Sequence, residues 1–229
     1  MKTVQIECRQ IGEWDEEVQK VIIEKHRHIN VHHDWWEFVY EDWQEKLKEM
    51  GYSVTSDRVV DEKKYDPEKK RYLPTGNKKT VTDININFSG FWAQGDGASF
   101  TGTVDVLKWL KYDNNPKYAR IIKLLENNRT SELDYGAVIT RHGHYYHERS
   151  TSLNLTWYPD KVYDMPNLKS LLHSIEQDID ADIIDLSIDI YRDLEQEYEH
   201  LTSDEQVKDA LESNEYRLQL QLLSFSAPP

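Results

Sequence analysis

Three features of the sequence predict an α+β fold, a mostly antiparallel β-meander packed by N-terminal helices and a long acidic C-terminal helix. First, residues 81–88 and 98–106 alternate apolar and polar side chains on either side of Gln94-Gly-Asp-Gly97, the pattern of a hairpin buried on one face. Second, residues 135–141 and 145–157 are rich in β-branched and aromatic residues and are joined across His142-Gly-His144. Third, from Leu168 to Tyr198 apolar residues recur every three or four positions, with acids on the opposite face. The two hairpins predict a four-stranded meander, extended by an N-terminal strand, with the long helix laid across it.

In chain order, residues 3–8 read as a short strand, and Trp14, Val18, Val21 and Ile22 fall at helical spacing up to about His28. Asp34 is placed to cap a second helix carrying Trp35, Trp36, Val39, Trp43, Leu47 and Met50, which Gly51 stops. A brief strand is expected within 52–60. Residues 56–80, charged and punctuated by Pro67, Pro74 and Gly76, are expected to form a long mobile loop. Residues 116–125 form a short helix with Asn127 and Asn128 as its exit. Pro159 and Pro166 close the sheet region, Thr202-Ser-Asp-Glu205 opens a last short helix to about Ser213, and residues 216–225 alternate enough for an edge strand. The length suits a single domain over 1–229.

Composition limits the function classes. No apolar run reaches the length of a membrane span and the N-terminus lacks the apolar centre of a signal peptide, so a soluble, intracellular protein without a membrane partner is expected. The lone Cys8 has no internal disulfide partner and fits a reducing compartment. The formal net charge is −14, and from Asp160 onward 17 acidic residues face only 5 basic ones. Such a surface repels phosphates, so direct nucleic-acid binding is not expected, and it favours basic partners or imitation of a nucleic-acid backbone. Lysines 63, 64, 69, 70, 78 and 79 with Arg71 make the one basic stretch, a solvated loop or a flap that helps hold an anion.

The least ordinary residues lie at the two hairpin tips. A connector needs only glycine and a polar residue, yet the first tip also carries Trp92, Gln94, Asp96 and Ser99. The second, Arg141-His-Gly-His-Tyr-Tyr-His-Glu148, holds three histidines in a strand context. Alternation puts Tyr145 and His147 on one face and His144 and Tyr146 on the other, so the histidines do not converge as a tetrahedral metal site requires, and no metal or cofactor is expected. Two roles for them remain open: packing at the rim of the sheet, or general acid–base work, since histidine titrates near neutrality. If the tips are adjacent, His147 or His144 is the candidate catalytic base, with Asp96 orienting it. Trp92, Gln94, Ser99, Tyr145, Tyr146 and Arg141 are then the candidate ligand-binding residues, and backbone N–H groups around Gly95 and Gly97 can hold an anion. A base or phosphate ester suits such walls.

Phe88-Ser-Gly-Phe-Trp-Ala-Gln-Gly-Asp-Gly-Ala-Ser-Phe100, together with Gly143-His-Tyr-Tyr-His-Glu148, the Asp34-Trp-Trp36 helix start, Leu201-Thr-Ser-Asp-Glu205 and Asn214-Glu-Tyr216, resembles a family of small bacteriophage-encoded accessory proteins, some of them labelled antitoxins. The resemblance covers most of the chain, with a longer 56–79 insertion than the family leads one to expect. It implies a viral origin and an accessory, anti-defence role in the cytoplasm of the infected host, and brings no catalytic mechanism with it. Two function classes follow. In one, the protein binds or hydrolyses a nucleotide-type immune signal between the tips. In the other, it is a noncatalytic inhibitor, antitoxin or DNA mimic that covers a basic host defence or toxin protein with the acidic helix face carrying Asp178, Asp182, Asp185 and Asp189.

Overall fold

A computed structural model describes residues 8–126, 134–158, 166–214 and 218–219. The expected strand at 3–8, the exit at 127–128, Pro159 and the edge strand at 216–225 lie outside these residues, apart from the short pieces noted below. The chain divides into two compact units, 1–37 with 194–229, and 38–193.

In the first unit, β1 (Cys8–Arg9) pairs antiparallel with β10 (Leu218–Gln219), and α1 (Glu16–Lys25) shares a core with α6 (Asp204–Ser213). Ile11, Ile22, Ile23, Val207 and Leu211 fill that core, flanked by Trp14, Val18 and Ile29. Helix α6 starts where the sequence places it, with the Ser203 hydroxyl accepting from Gln206 N–H. Its entry is tied down by Arg27, which donates to the Thr202 carbonyl (2.8 Å) and to Asp204 (2.9 Å).

The second unit is an α+β assembly. Its main sheet has the order β2-β7-β8-β9, from β2 (Tyr52–Ser53), β7 (Gly102–Val104), β8 (Asp134–Arg141) and β9 (Thr151–Tyr158), all antiparallel. The hairpin β5 (Ile86–Ser89) and β6 (Gly97–Phe100) pairs separately. The expected four-stranded meander is therefore split. Both of its first two strands break in the middle and change partner, at Asn85, whose N–H reaches the Val54 carbonyl, and at Thr101, whose N–H reaches the Asn85 carbonyl. Helix α2 (Glu37–Met50) ends at Gly51, which has φ +105° and no room for a Cβ against Asp105 O and Trp109 N (each 2.9 Å). Helices α3 (Val106–Asp113) and α4 (Ala119–Glu126) follow β7. The sequence reading passed over α3, although Asp105 caps it by accepting from Lys108 N–H. Among the described residues no helix is long and apolar enough to cross a membrane.

Residues 56–80 do not form a loop. They lie in a two-stranded ribbon, β3 (Thr55–Asp66) with β4 (Arg71–Ile84), which has a bulge between Asp61 and Lys63. Cross-strand pairs hold it: Tyr65 edge-on to Tyr72, Thr82 Oγ1 donating to Asp57, and Arg58 bonded to Asp83. The bulged Glu62 accepts from Asn77 and Thr75, which holds its carboxyl below the usual carboxylate range.

Helix α5 (Pro166–Leu201) buries Leu168, Leu172, Ile175, Ile179, Ile183, Leu186 and Ile190 along one stripe. Its acids are not simply a solvated face. Asp182 Oδ2 accepts from Tyr52 Oη (2.6 Å) and Trp109 Nε1 (2.8 Å). Asp178 takes Tyr118 Oη and Lys117 Nζ, Asp180 takes Leu153 N–H, and Asp193 takes Trp43 Nε1. Burial and the neighbouring Asp182 push the Tyr52 phenol far up, and burial with the Asp178 bond pushes Tyr118 up to about 12.

Two outcomes are expected. Asp182→Leu leaves two buried donors unpaired and costs about 3 kcal/mol by urea denaturation, whereas Asp185→Asn, on the exposed side, stays within about 0.5 kcal/mol. Because the Tyr118 phenol is raised in the folded state, its contribution is complete below its ordinary value of 10 and is lost as the pH climbs toward about 12. Phenolate absorbance from the buried tyrosines should thus appear together with loss of the circular dichroism signal; titration of every tyrosine before unfolding would refute this.

Candidate functional site

The first tip spans residues 90–96 between β5 and β6. Gly90 and Gly95 take positive φ values of 43° and 95°, and the loop closes on Asp96. Its Oδ2 accepts from Trp92 N–H (3.0 Å) and Ala93 N–H (2.7 Å), while Asp96 N–H donates to the Ala93 carbonyl (3.0 Å). A Cβ at Gly90 would sit 2.8 Å from that same oxygen. The loop's own carboxylate thus occupies the Trp92 and Ala93 N–H groups, two donors just upstream of the Gly95 and Gly97 N–H groups that the sequence offered to an external anion. Phe91 turns inward, stacking on Phe88 (5.6 Å) and meeting Tyr191 (5.5 Å). Trp92 is left 78% exposed and Gln94 is exposed, whereas Ser99, within β6, is only 1% exposed and belongs to the core.

The second tip, 142–150, is not the continued strand that its composition predicts. Its last residues, Glu148–Ser150, form a 3-10 turn capped by His147, whose Nδ1 accepts from Arg149 N–H (3.1 Å). Ser150 closes the turn, its Oγ donating to the His147 carbonyl (2.6 Å), and His142 N–H donates to the Ser150 carbonyl (2.7 Å). Arg141 lies over the Tyr146 ring at 4.5 Å, a cation–π contact. Burial, with the Tyr146 phenol nearby, raises the Tyr40 phenol well above its ordinary value. Tyr145 is 63% exposed, its ring 6.4 Å from that of His147, and His144 is exposed.

The two tips touch. A Cβ built on Gly95 would lie 3.6 Å from the Tyr145 ring, and one on Gly97 would lie 2.6 Å from His147 Cα and 2.8 Å from its Cβ. Each glycine is therefore a contact surface for the opposite tip, a role that alternation and spacing do not reveal. The seam brings together Tyr145, His147, Gly95 and Gly97, with Arg141 and Tyr146 on the same tip as His147. It does not bring Asp96 to a histidine, since both of the carboxylate's hydrogen bonds stay within its own loop. Ser99 is likewise kept from the surface. Among the described residues no three His, Cys, Asp or Glu side chains are arranged to hold a metal.

The bond to Arg149 N–H decides what His147 offers. An imidazole nitrogen that accepts a hydrogen bond carries no proton, so neutral His147 bears its proton on Nε2. In that tautomer the ring presents a donor, suited to a phosphate or carbonyl oxygen, and the nitrogen with a lone pair is already engaged. Gly97→Ala tests the seam directly: the added methyl drives the tips apart and should cost about 1–3 kcal/mol in thermal or urea unfolding, with a changed near-ultraviolet signal from Trp92 and Tyr145. Unchanged stability and spectrum would show that the contact is not made.

Comparison with known proteins adds a family and no activity. No curated protein and no solved structure shows significant similarity to the chain. Residues 35–204, well over half of the sequence and including both tips, match a family described as a domain of unknown function, DUF8835, and the chain belongs to that family.

Proposed function

We propose that the joined tips bind a small nucleotide-type ligand and that the protein works by holding it. The observation that carries this reading is the seating of Gly97 on the main chain of His147, which makes one surface of two loops rich in aromatic and cationic groups. Trp92, in edge contact with Phe91, and Tyr145 are largely exposed aromatic side chains against which a base can stack. Arg141 and His144 are exposed cation and donor, and His147 adds the Nε2 proton, so three groups on one tip can meet phosphate oxygens. Anion recognition rests on these side chains, with the Trp92 and Ala93 N–H groups already taken by Asp96.

Holding is favoured over hydrolysis by the same geometry. A general base needs an available lone pair and an orienting partner; His147 has Nδ1 engaged by Arg149 N–H, with Glu148 Oε2 4.0 Å away, and Asp96, the orienting partner expected for either His147 or His144, is bonded within its own loop. The resemblance to phage accessory proteins supports a biological setting in which the ligand is a nucleotide immune signal of an infected host, and the protein is an anti-defence sponge.

The test is mass spectrometry of cyclic and linear nucleotides incubated with the full chain, before and after heat denaturation. One compound should leave the free pool and return intact on denaturation. New products would overturn holding in favour of catalysis, and an unchanged panel would overturn the site. Trp92→Ala and Arg141→Ala should each weaken capture by roughly tenfold, as expected for the loss of one stacking or charge-assisted contact, with the protein still folded by circular dichroism at the assay temperature.

A further inference from the structure

The β3–β4 ribbon has a charge pattern opposite to that of the rest of the chain. Between Lys63 and Lys79 there are seven basic residues and two acidic ones, in a protein whose formal net charge is −14. The ribbon's acids are mostly tied down. Asp66 Oδ1 accepts from Glu68 and Lys69 N–H and so shapes the turn, Glu62 is held by Thr75 and Asn77, Asp57 by Thr82, and Asp83 by Arg58. By contrast, Lys63, Lys64, Lys69, Lys70, Arg71, Lys78 and Lys79 form no side-chain hydrogen bond or ion pair among the described residues. The acids organise the element and the bases are left for something else.

Shape and surface chemistry narrow what that is. Both faces of the distal ribbon are solvent-exposed, and among the described residues neither is paired with a further strand. Tyr65 (49%) and Tyr72 (66%) stand exposed together, next to a concavity lined by Val59, Val60, Asp61, Lys63, Tyr72 and Lys79. A bare two-stranded ribbon is the β element that fits the major groove of a duplex, which is about 12 Å wide. Lysines along its edges and turn would meet the flanking phosphates, and the tyrosines would face base edges and sugars.

We infer that the distal β3–β4 ribbon is a duplex DNA-binding element that enters the major groove through the Tyr65–Tyr72 face. This reverses, for this element alone, the repulsion that the chain's net charge implies. Neutralised phosphates release counterions, so binding weakens steeply with salt, by a log–log slope of about 0.9 per phosphate contacted.

The experiment is fluorescence anisotropy of a labelled duplex of about 20 base pairs with the full chain, from about 50 mM salt upward. Saturable binding is expected, weakened at least tenfold by the triple variant Lys63→Glu, Lys69→Glu, Lys70→Glu and also weakened by Tyr65→Ala with Tyr72→Ala. The three lysines are exposed, so thermal unfolding of the triple variant should be unchanged; the tyrosine double variant also loses the Tyr65–Tyr72 contact across the ribbon, so its circular dichroism is checked before its binding is read. Trp92→Ala with Arg141→Ala should leave duplex binding intact, which separates this proposal from the nucleotide site. Absence of saturable binding, equal binding by the triple variant, or tighter binding to the separated strands would overturn it. So would a concentration-dependent dimer on sizing chromatography that the triple variant abolishes while duplex binding stays absent.

Discussion

Asp182 takes two hydrogen bonds on one carboxylate oxygen, from the Tyr52 phenol and the Trp109 indole, and the second unit depends on this arrangement. Tyr52 begins the main sheet and Trp109 lies in α3, so one acid of α5 ties a strand and a helix to the long helix at once. The bond is charge-assisted and its donors are almost fully buried, which makes it costly to break and specific about which aromatic meets which acid. Asp178 and Asp193 repeat the device with Tyr118 and Trp43. Positions 178, 182 and 193 are spaced by one and by three helical turns, so the three acids form a stripe beside the apolar one. Apolar burial supplies attraction without direction; the acid–aromatic bonds fix the register in which α5 sits.

That arrangement changes how the acidic C-terminal third is understood. An acid opposite an apolar stripe is ordinarily solvated, and a run of them invites a partner of opposite charge. Here at least four of those acids spend their acceptors inside the unit, so reversing Asp178 or Asp182 would test folding rather than partner binding. A large negative charge is therefore compatible with an internal role. The sum also hides local charge: seven basic residues against two acidic ones lie between Lys63 and Lys79.

What was legible in the sequence follows from how far each signal reaches. The periodic stripe of α5, the Val39–Met50 part of the α2 stripe, the Gly51 stop and the Ser203 cap are local and lie where the spacing predicts them; α2 itself begins at Glu37, three residues after the expected Asp34 cap, with Trp35 and Trp36 in the turn that precedes it. The ribbon was illegible because both of its faces meet water: with no buried face there is no alternation, and lysines, prolines and a glycine imitate a loop. Helix α3 is only eight residues long and begins at Val106, where the expected strand 98–106 ends. The partner switches at Asn85 and Thr101 depend on backbone bonds to Val54 and to each other, which no pattern in the strands announces.

The site was half legible for the same reason. An overbuilt loop is visible residue by residue, so both tips stood out, but their contact joins residues about fifty positions apart through two glycines. Glycine at a turn and glycine at a close approach look identical in sequence, and only the 2.6 Å from a Gly97 Cβ to His147 Cα separates the two meanings. Asp96 was similarly ambiguous: a carboxylate between glycines can orient a catalytic histidine or bind its own loop. Its two short bonds to Trp92 and Ala93 N–H show the second use, and they carry a chemical consequence. A loop held by its own anion keeps its shape without a ligand, so Trp92 is presented before anything binds. Preorganisation of that kind lowers the ordering cost of association and favours tight retention. Under the proposed reading, the bond from Arg149 N–H leaves His147 without a ready lone pair, which favours holding a ligand over transforming it.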